Sequence, residues 1–174
     1  MYARILVPID GRPCSEHAAF EAFDLARRFG SQVILAHVLP EGRARPGRES
    51  SGRLEACARA LLDRWERVGR TSGVRASTRL LYGRDPASAV AALARDEAAD
   101  LVLVGTRGRV SLGDRTLLGS TAERLTRASS VPVMLVRRQP AARLTTGALD
   151  RSGAQEMPGL PALAASPSDW SASD

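Results

Sequence analysis

The chain has 174 residues, 44% of them hydrophobic, a length and composition that suit one globular domain with a proper core. Apolar runs such as 101–104 fall far short of the roughly 20 residues that cross a bilayer, and Met1 leads directly into a strand pattern, so a cytoplasmic protein without membrane contact is expected. The net charge of +6 comes from arginine alone, spread through Arg27, Arg28, Arg53, Arg59, Arg64, Arg84, Arg95 and Arg115, with two tyrosines and three phenylalanines for stacking, which argues against a nucleic-acid surface.

In chain order, residues 3–9 form a short apolar run closed by Asp10-Gly11. Residues 13–29 then place Ala18, Ala19, Phe23 and Ala26 at helical spacing, with Gly30 as a stop. A β-branched run over 32–38 reads as the second strand, and after a Gly/Pro/Arg-rich stretch at 40–52 an amphipathic helix is predicted over 54–68. Alternation of Val74, Ala76, Thr78 and Leu80 predicts a strand over 74–81; Asp85-Pro86 supplies an N-cap and a first-turn proline for a helix to about Ala98. Residues 100–104 read as a buried strand. A glycine-rich loop to Leu118, a helix over 119–128 and a last strand over 131–136 follow.

Five strands separated by four helices imply right-handed crossovers and an α/β fold: a doubly wound, mainly parallel five-stranded sheet with helices on both faces, Rossmann-like in architecture. Ligands on such sheets sit at the carboxyl ends of the strands where the strand order reverses, so the loops after the first and fourth strands are the place to look. The domain spans 1–138. Beyond it Pro, Ala, Ser and Gly dominate and periodicity vanishes, so 139–174 reads as a disordered tail.

The informative segment is 104–123, VGTRGRVSLGDRTLLGSTAE. Gly105 and Gly108 leave the end of the fourth strand open to close approach, and Gly119-Ser120-Thr121 opens the next helix. Free N–H groups at that helix start, its dipole and the two hydroxyls favour an anion such as phosphate, and Arg107 or Arg109 would add charge.

With these residues in view, the chain resembles the universal stress proteins, small nucleotide-binding domains with the adenine-nucleotide-hydrolase-like α/β fold; the resemblance covers about residues 1–138. The family's pattern is Gly, two residues, Gly, nine residues, then Gly with Ser or Thr; here Gly105, Gly108 and Gly119-Ser120 follow it with ten residues in the second gap. Ile5-Leu6-Val7-Pro8-Ile9-Asp10 is similar to the family's first strand with its adenine-side aspartate, and Ala36-His37-Val38 to its second-strand end. By this resemblance Pro8, Ile9, Asp10 and Val38 surround an adenine, Gly105, Arg107 and Gly108 border ribose and phosphates, and Gly119, Ser120 and Thr121 hold the phosphates. The extra residue is expected to bulge outward near Gly113-Asp114. The resemblance further implies ATP, with Mg²⁺, as the ligand, and a homodimer formed through the last strand.

Single residues admit plainer readings. Asp10 also suits an Asp-Gly turn, Ser120 also suits a helix start, and His37 reads as a packed or hydrogen-bonded histidine rather than a catalyst. Cys14 and Cys57, without metal or disulfide spacing, read as reduced thiols, Cys14 as a buried one. A chain without lysine has no Walker motif, no Gly-x-Gly-x-x-Gly follows the first strand, and no Gly-x-Ser-x-Gly elbow exists. No catalytic constellation is visible, and slow ATP hydrolysis is the most that is expected. The leading expectation is thus a stress-response module whose ATP occupancy acts as a regulatory switch; the alternative is an interaction module of the same fold that binds no nucleotide.

Overall fold

Proline and glycine punctuate the chain into alternating strands and helices: β1 (Arg4–Pro8), α1 (Pro13–Phe29), β2 (Gln32–Pro40), α2 (Glu49–Thr71), β3 (Arg75–Gly83), α3 (Pro86–Asp96) and β4 (Leu101–Thr106). Two short strands, β5 (Val110–Leu112) and β6 (Arg115–Leu117), precede α4 (Ser120–Ala128) and β7 (Val133–Arg137). The structure is a computed structural model that describes residues 2–41, 49–106, 110–112, 115–117 and 119–137; the side chains of 49–51, 110–112 and 115–117 and the whole of 139–174 lie outside that description.

Pro13 occupies the first turn of α1, where a missing N–H costs nothing, and Gly30 ends it in the left-handed region at φ 70°, its N–H donating to the Ala26 carbonyl. Asp85 caps α3, its Oδ2 accepting the Ser88 N–H at 3.2 Å and the Ser88 hydroxyl at 2.6 Å, with Pro86 behind it. Helix α2 begins before and ends after the expected 54–68, because its start carries polar residues without apolar periodicity. The segment expected as a continuous glycine-rich loop contains β5 and β6, paired antiparallel from Val110↔Leu117 to Leu112↔Arg115 as a separate two-stranded sheet. Gly113 and Asp114, the expected point of the bulge, lie outside the described residues.

The main sheet is wholly parallel, in the order β3-β2-β1-β4-β7. Helices cover both faces. On one, Phe23 of α1 and Leu62 and Trp65 of α2 pack with Ile5, Val7, Val33 and Leu35; on the other, Val90 and Ala91 of α3 and Leu125 of α4 pack with Leu6, Ile34 and Val102. Alternate residues of each central strand thus feed alternate cores, which is why those strands read as unbroken apolar runs.

The strand order reverses between β1 and β4. β1 stays in register with β2 through Pro8↔Ala36, whereas its pairing with β4 is confined to Ile5↔Leu101 and Leu6↔Val102. The chain then leaves β1 for α1 on one face and leaves β4 towards α4 on the other, opening a crevice between the two strand ends.

The first turn of α1 enters this region against β4. A Cβ on Gly105 would lie 2.0 Å from the Cys14 carbonyl oxygen and 2.8 Å from the Ser15 nitrogen, so the glycine is required by backbone packing. Gly105→Ala should therefore lower unfolding stability by at least about 3 kcal/mol, the upper range of overpacking costs, measured by urea denaturation. The Asp85 cap yields a pH-dependent effect. Donation from the Ser88 hydroxyl, then from the Ser88 N–H, with Arg124 close by, holds the Asp85 carboxyl below its ordinary value. A depressed folded value means the stabilisation is complete above the unfolded value and lost as pH falls through the folded one. The gap in urea midpoint between the parent and Asp85→Ala should be full at about pH 7 and narrow below about pH 4, in the carboxylate range.

Candidate functional site

A cleft of about 250 Å³ occupies the crevice at the carboxyl ends of the strands. Of the residues expected from sequence, Pro8, Ile9, Asp10, Val38, Gly105, Gly119, Ser120 and Thr121 all line it. Arg107 and Gly108 lie outside the described residues. Four segments distant in sequence thus meet at one concave site, as the parallel topology demands.

Asp10 sits at the rim, two residues past the end of β1. Its Oδ1 accepts the Arg12 N–H at 3.0 Å and the Ser15 hydroxyl at 2.6 Å, while its own N–H donates to Ser15 Oγ at 3.2 Å. Gly11, at φ 76°, makes the sharp turn that allows this. The aspartate therefore organises the turn and also presents a largely exposed carboxylate, with Oδ2 3.7 Å from Arg12 Nε. The two readings of Asp10 are compatible: a carboxylate anchored through one oxygen keeps the other for a hydroxyl-bearing ligand.

At the end of β2 the backbone itself becomes available. The Ile9 N–H donates to the Ala36 carbonyl at 2.7 Å, which fixes Ala36 as facing β1. Backbone direction alternates along a strand, so the N–H and C=O of Val38 face the same side, beyond the point where β1 has ended. Among the described residues neither group has a hydrogen-bond partner. Val38 thus offers a donor and an acceptor side by side, at the edge of the cleft.

The opposite wall is the start of α4. Gly119 is its N-cap with no side-chain bond, and the Glu123 N–H is the one that donates back to the Gly119 carbonyl, at 3.0 Å. The N–H groups of Ser120, Thr121 and Ala122 precede any intrahelical acceptor and carry the positive end of the helix dipole. Gly119 differs from Gly105 in kind: its φ of −54° suits any residue, and among the described residues a Cβ there would meet nothing within 4 Å. The fold does not require glycine at 119; open space towards the cleft is what it provides. Arg124, midway along α4, reaches Asp85 Oδ1 at 3.2 Å, so α4 is tied to the N-cap of α3 beside the cleft.

Further residues line the cleft that sequence reasoning did not place there: Arg12, Cys14, Ser15, Ala36, His37, Pro86, Val90, Val104 and Ala122. Pro86 and Val90 had an available signal, because a parallel sheet puts every strand-to-helix loop at one edge and the β3–α3 loop belongs with the other two. Cys14 is half-buried in the wall, not enclosed in the core as expected. His37 is half-buried and bonded as expected, its Nδ1 2.6 Å from the Ile9 carbonyl. Among the described residues no group of three His, Cys, Asp or Glu side chains could hold a metal, and no helix is long and apolar enough to cross a membrane.

Comparison with known proteins agrees with this architecture. The model of the universal stress protein family matches residues 1–137. A universal stress protein of Methanocaldococcus jannaschii, MJ0531, is 30% identical over 145 residues, covering 79% of this chain and 84% of the relative. A solved universal stress family protein from Burkholderia pseudomallei superposes with a TM-score of 0.62 at 28% identity, covering 78% of this chain and 96% of that one. A universal stress protein solved in complex with cAMP gives a TM-score of 0.60 at 25% identity, covering 78% and 97%. The parallel sheet in the order β3-β2-β1-β4-β7, the glycine-bounded segment before α4 and the family match together establish that this chain belongs to the universal stress protein family.

Proposed function

We propose that the cleft binds an adenine nucleotide, ATP, and that its occupancy makes the domain a regulatory switch in the stress response. The observation that carries this reading is the pairing of an open Val38 donor and acceptor with an uncapped helix start at Gly119, both on one cleft. Adenine places its amino donor beside a ring-nitrogen acceptor, which suits Val38; guanine carries the reverse order at the corresponding positions. Pro8, Ile9 and Val38 supply apolar contact for the base. Asp10 is placed to accept from ribose hydroxyls, with Gly105 alongside.

Phosphates would accept from the free N–H groups of Ser120, Thr121 and Ala122 and from the adjacent hydroxyls, in a field already favourable to negative charge. Mg²⁺ would enter with the phosphates, since a magnesium ion keeps much of its water and leans on phosphate oxygens. The solved relative with cAMP supports an adenine nucleotide in this fold. The contribution of this cleft to any ATP hydrolysis would be confined to holding and neutralising the phosphates.

Calorimetric titration with ATP and Mg²⁺ tests the reading. The parent should bind, and Gly119→Val should bind about tenfold more weakly or worse, a loss of 1.4 kcal/mol or more, while its thermal unfolding stays close to the parent's, because a Cβ there meets no atom within 4 Å among the described residues. A folded parent that takes up no heat with ATP would overturn the reading in favour of an interaction module of the same fold.

We also propose a homodimer through β7. This strand is an edge of the main sheet, paired on one side with β4, and Met134 on it is 39% exposed. Light scattering should give twice the chain mass at micromolar concentration, and Met134→Arg should shift the protein to a monomer; a monomeric parent would contradict the dimer.

A further inference from the structure

The end of β1 holds an unusual substitution of one hydrogen bond for another. In a parallel ladder, the bond from the Ile9 N–H to the Ala36 carbonyl is followed by one from the Val38 N–H to the Ile9 carbonyl. That second bond is not made. The Ile9 carbonyl instead meets Nδ1 of His37, the residue between the two, at 2.6 Å. A carbonyl only accepts, so Nδ1 carries the proton and donates. Two donors, the Val38 amide and the His37 ring, therefore compete for one acceptor, and the ring holds it.

Resting on the adenine-nucleotide reading of the cleft, we propose that His37 is a positioning residue: by occupying the Ile9 carbonyl it keeps β1 and β2 from zipping one step further and leaves the Val38 N–H free for the base. The physical cause is the cost of an unpaired carbonyl at a partly buried strand end. Ile9 is 2% exposed, so its carbonyl needs a partner, and removing the imidazole donor leaves the Val38 amide as the nearest alternative on the β2 backbone. Strand closure would then consume the donor that the ligand needs. With the imidazole in place, the amide is open before the ligand arrives, and no ladder bond has to be broken on binding.

Amide hydrogen exchange on the nucleotide-free full chain reads this directly, with ATP titration beside it. His37→Leu removes the donor, whereas His37→Asn keeps an N–H close to the Nδ1 position. In the parent and in His37→Asn the Val38 amide should exchange quickly; in His37→Leu it should slow about tenfold, as one net hydrogen bond is gained. Affinity for ATP should fall about tenfold in His37→Leu and return towards the parent's in His37→Asn. Circular dichroism checks that each variant folds, and His37→Phe takes the place of the leucine variant if that one does not. Equal Val38 exchange in parent and leucine variant overturns the role of His37, whatever the titration gives. A parent that binds no ATP overturns the ligand reading, while the exchange comparison still decides whether the histidine holds the amide open.

Discussion

The close seating of α1 on β4 governs the geometry around the cleft. With the Cys14 carbonyl occupying the space a Cβ at residue 105 would need, the first turn of α1 lies against the end of β4 at the point where the strand order reverses. Ser15 is thereby placed to grip Asp10, Cys14 becomes a wall of the cleft, and the β1–α1 turn is held between its aspartate and its helix. A larger residue at 105 would lift the helix from the sheet and open that side of the site. One absent methyl group thus fixes a whole wall, in keeping with interiors packed as densely as organic crystals.

Much of this architecture was legible in the sequence, for identifiable reasons. Strands β1, β2 and β4 are buried on both faces and read as continuous apolar runs; α1 and α3 carry explicit punctuation in Pro13, Gly30 and Asp85-Pro86. β5 and β6 were missed because strands of three residues, with arginine, serine and threonine among them, offer no apolar pattern against a glycine-rich background. Of the candidate site, the loops after β1 and β4 could be singled out because doubly wound sheets bind there, and Gly105 and Gly119-Ser120 by their glycine and hydroxyl pattern, whereas Pro8, Ile9, Asp10 and Val38 follow only from the family resemblance. The contribution of α3 was overlooked when Asp85-Pro86 was read only as a cap. The exchange of partners at Ile9 could not be seen, because pairing offsets between strands are three-dimensional and His37 looks the same in sequence whichever acceptor it finds.

Charge is the property that sequence alone portrays least well. An excess of arginine suggests a polyanion surface, yet four of these side chains are paired along their own helices: Arg59 with Glu55, Arg70 with Glu66, Arg127 with Glu123 and Arg27 with Asp24. Pairs at this spacing stabilise a helix by only tenths of a kcal/mol. Their main consequence is to disperse positive charge as solvated faces. Besides Arg12, the cleft has a source of positive potential in the backbone N–H groups at the start of α4, which a count of basic residues cannot register.

The tie between Arg124 and Asp85 bears on how anything enters the cleft. It links the N-cap of α3 to the middle of α4, while the contact at Gly105 seats the first turn of α1 on β4 on the other side of the cleft. For the nucleotide proposed above, these fixed contacts among the described residues would leave the entropy lost on association mainly on the ligand, whose rotatable bonds would be frozen to span from Val38 to Gly119. For the adenine nucleotide proposed above, selectivity would then depend on molecular length as well as on the base: a short adenine compound would satisfy one wall, and only one extended by phosphates would satisfy both.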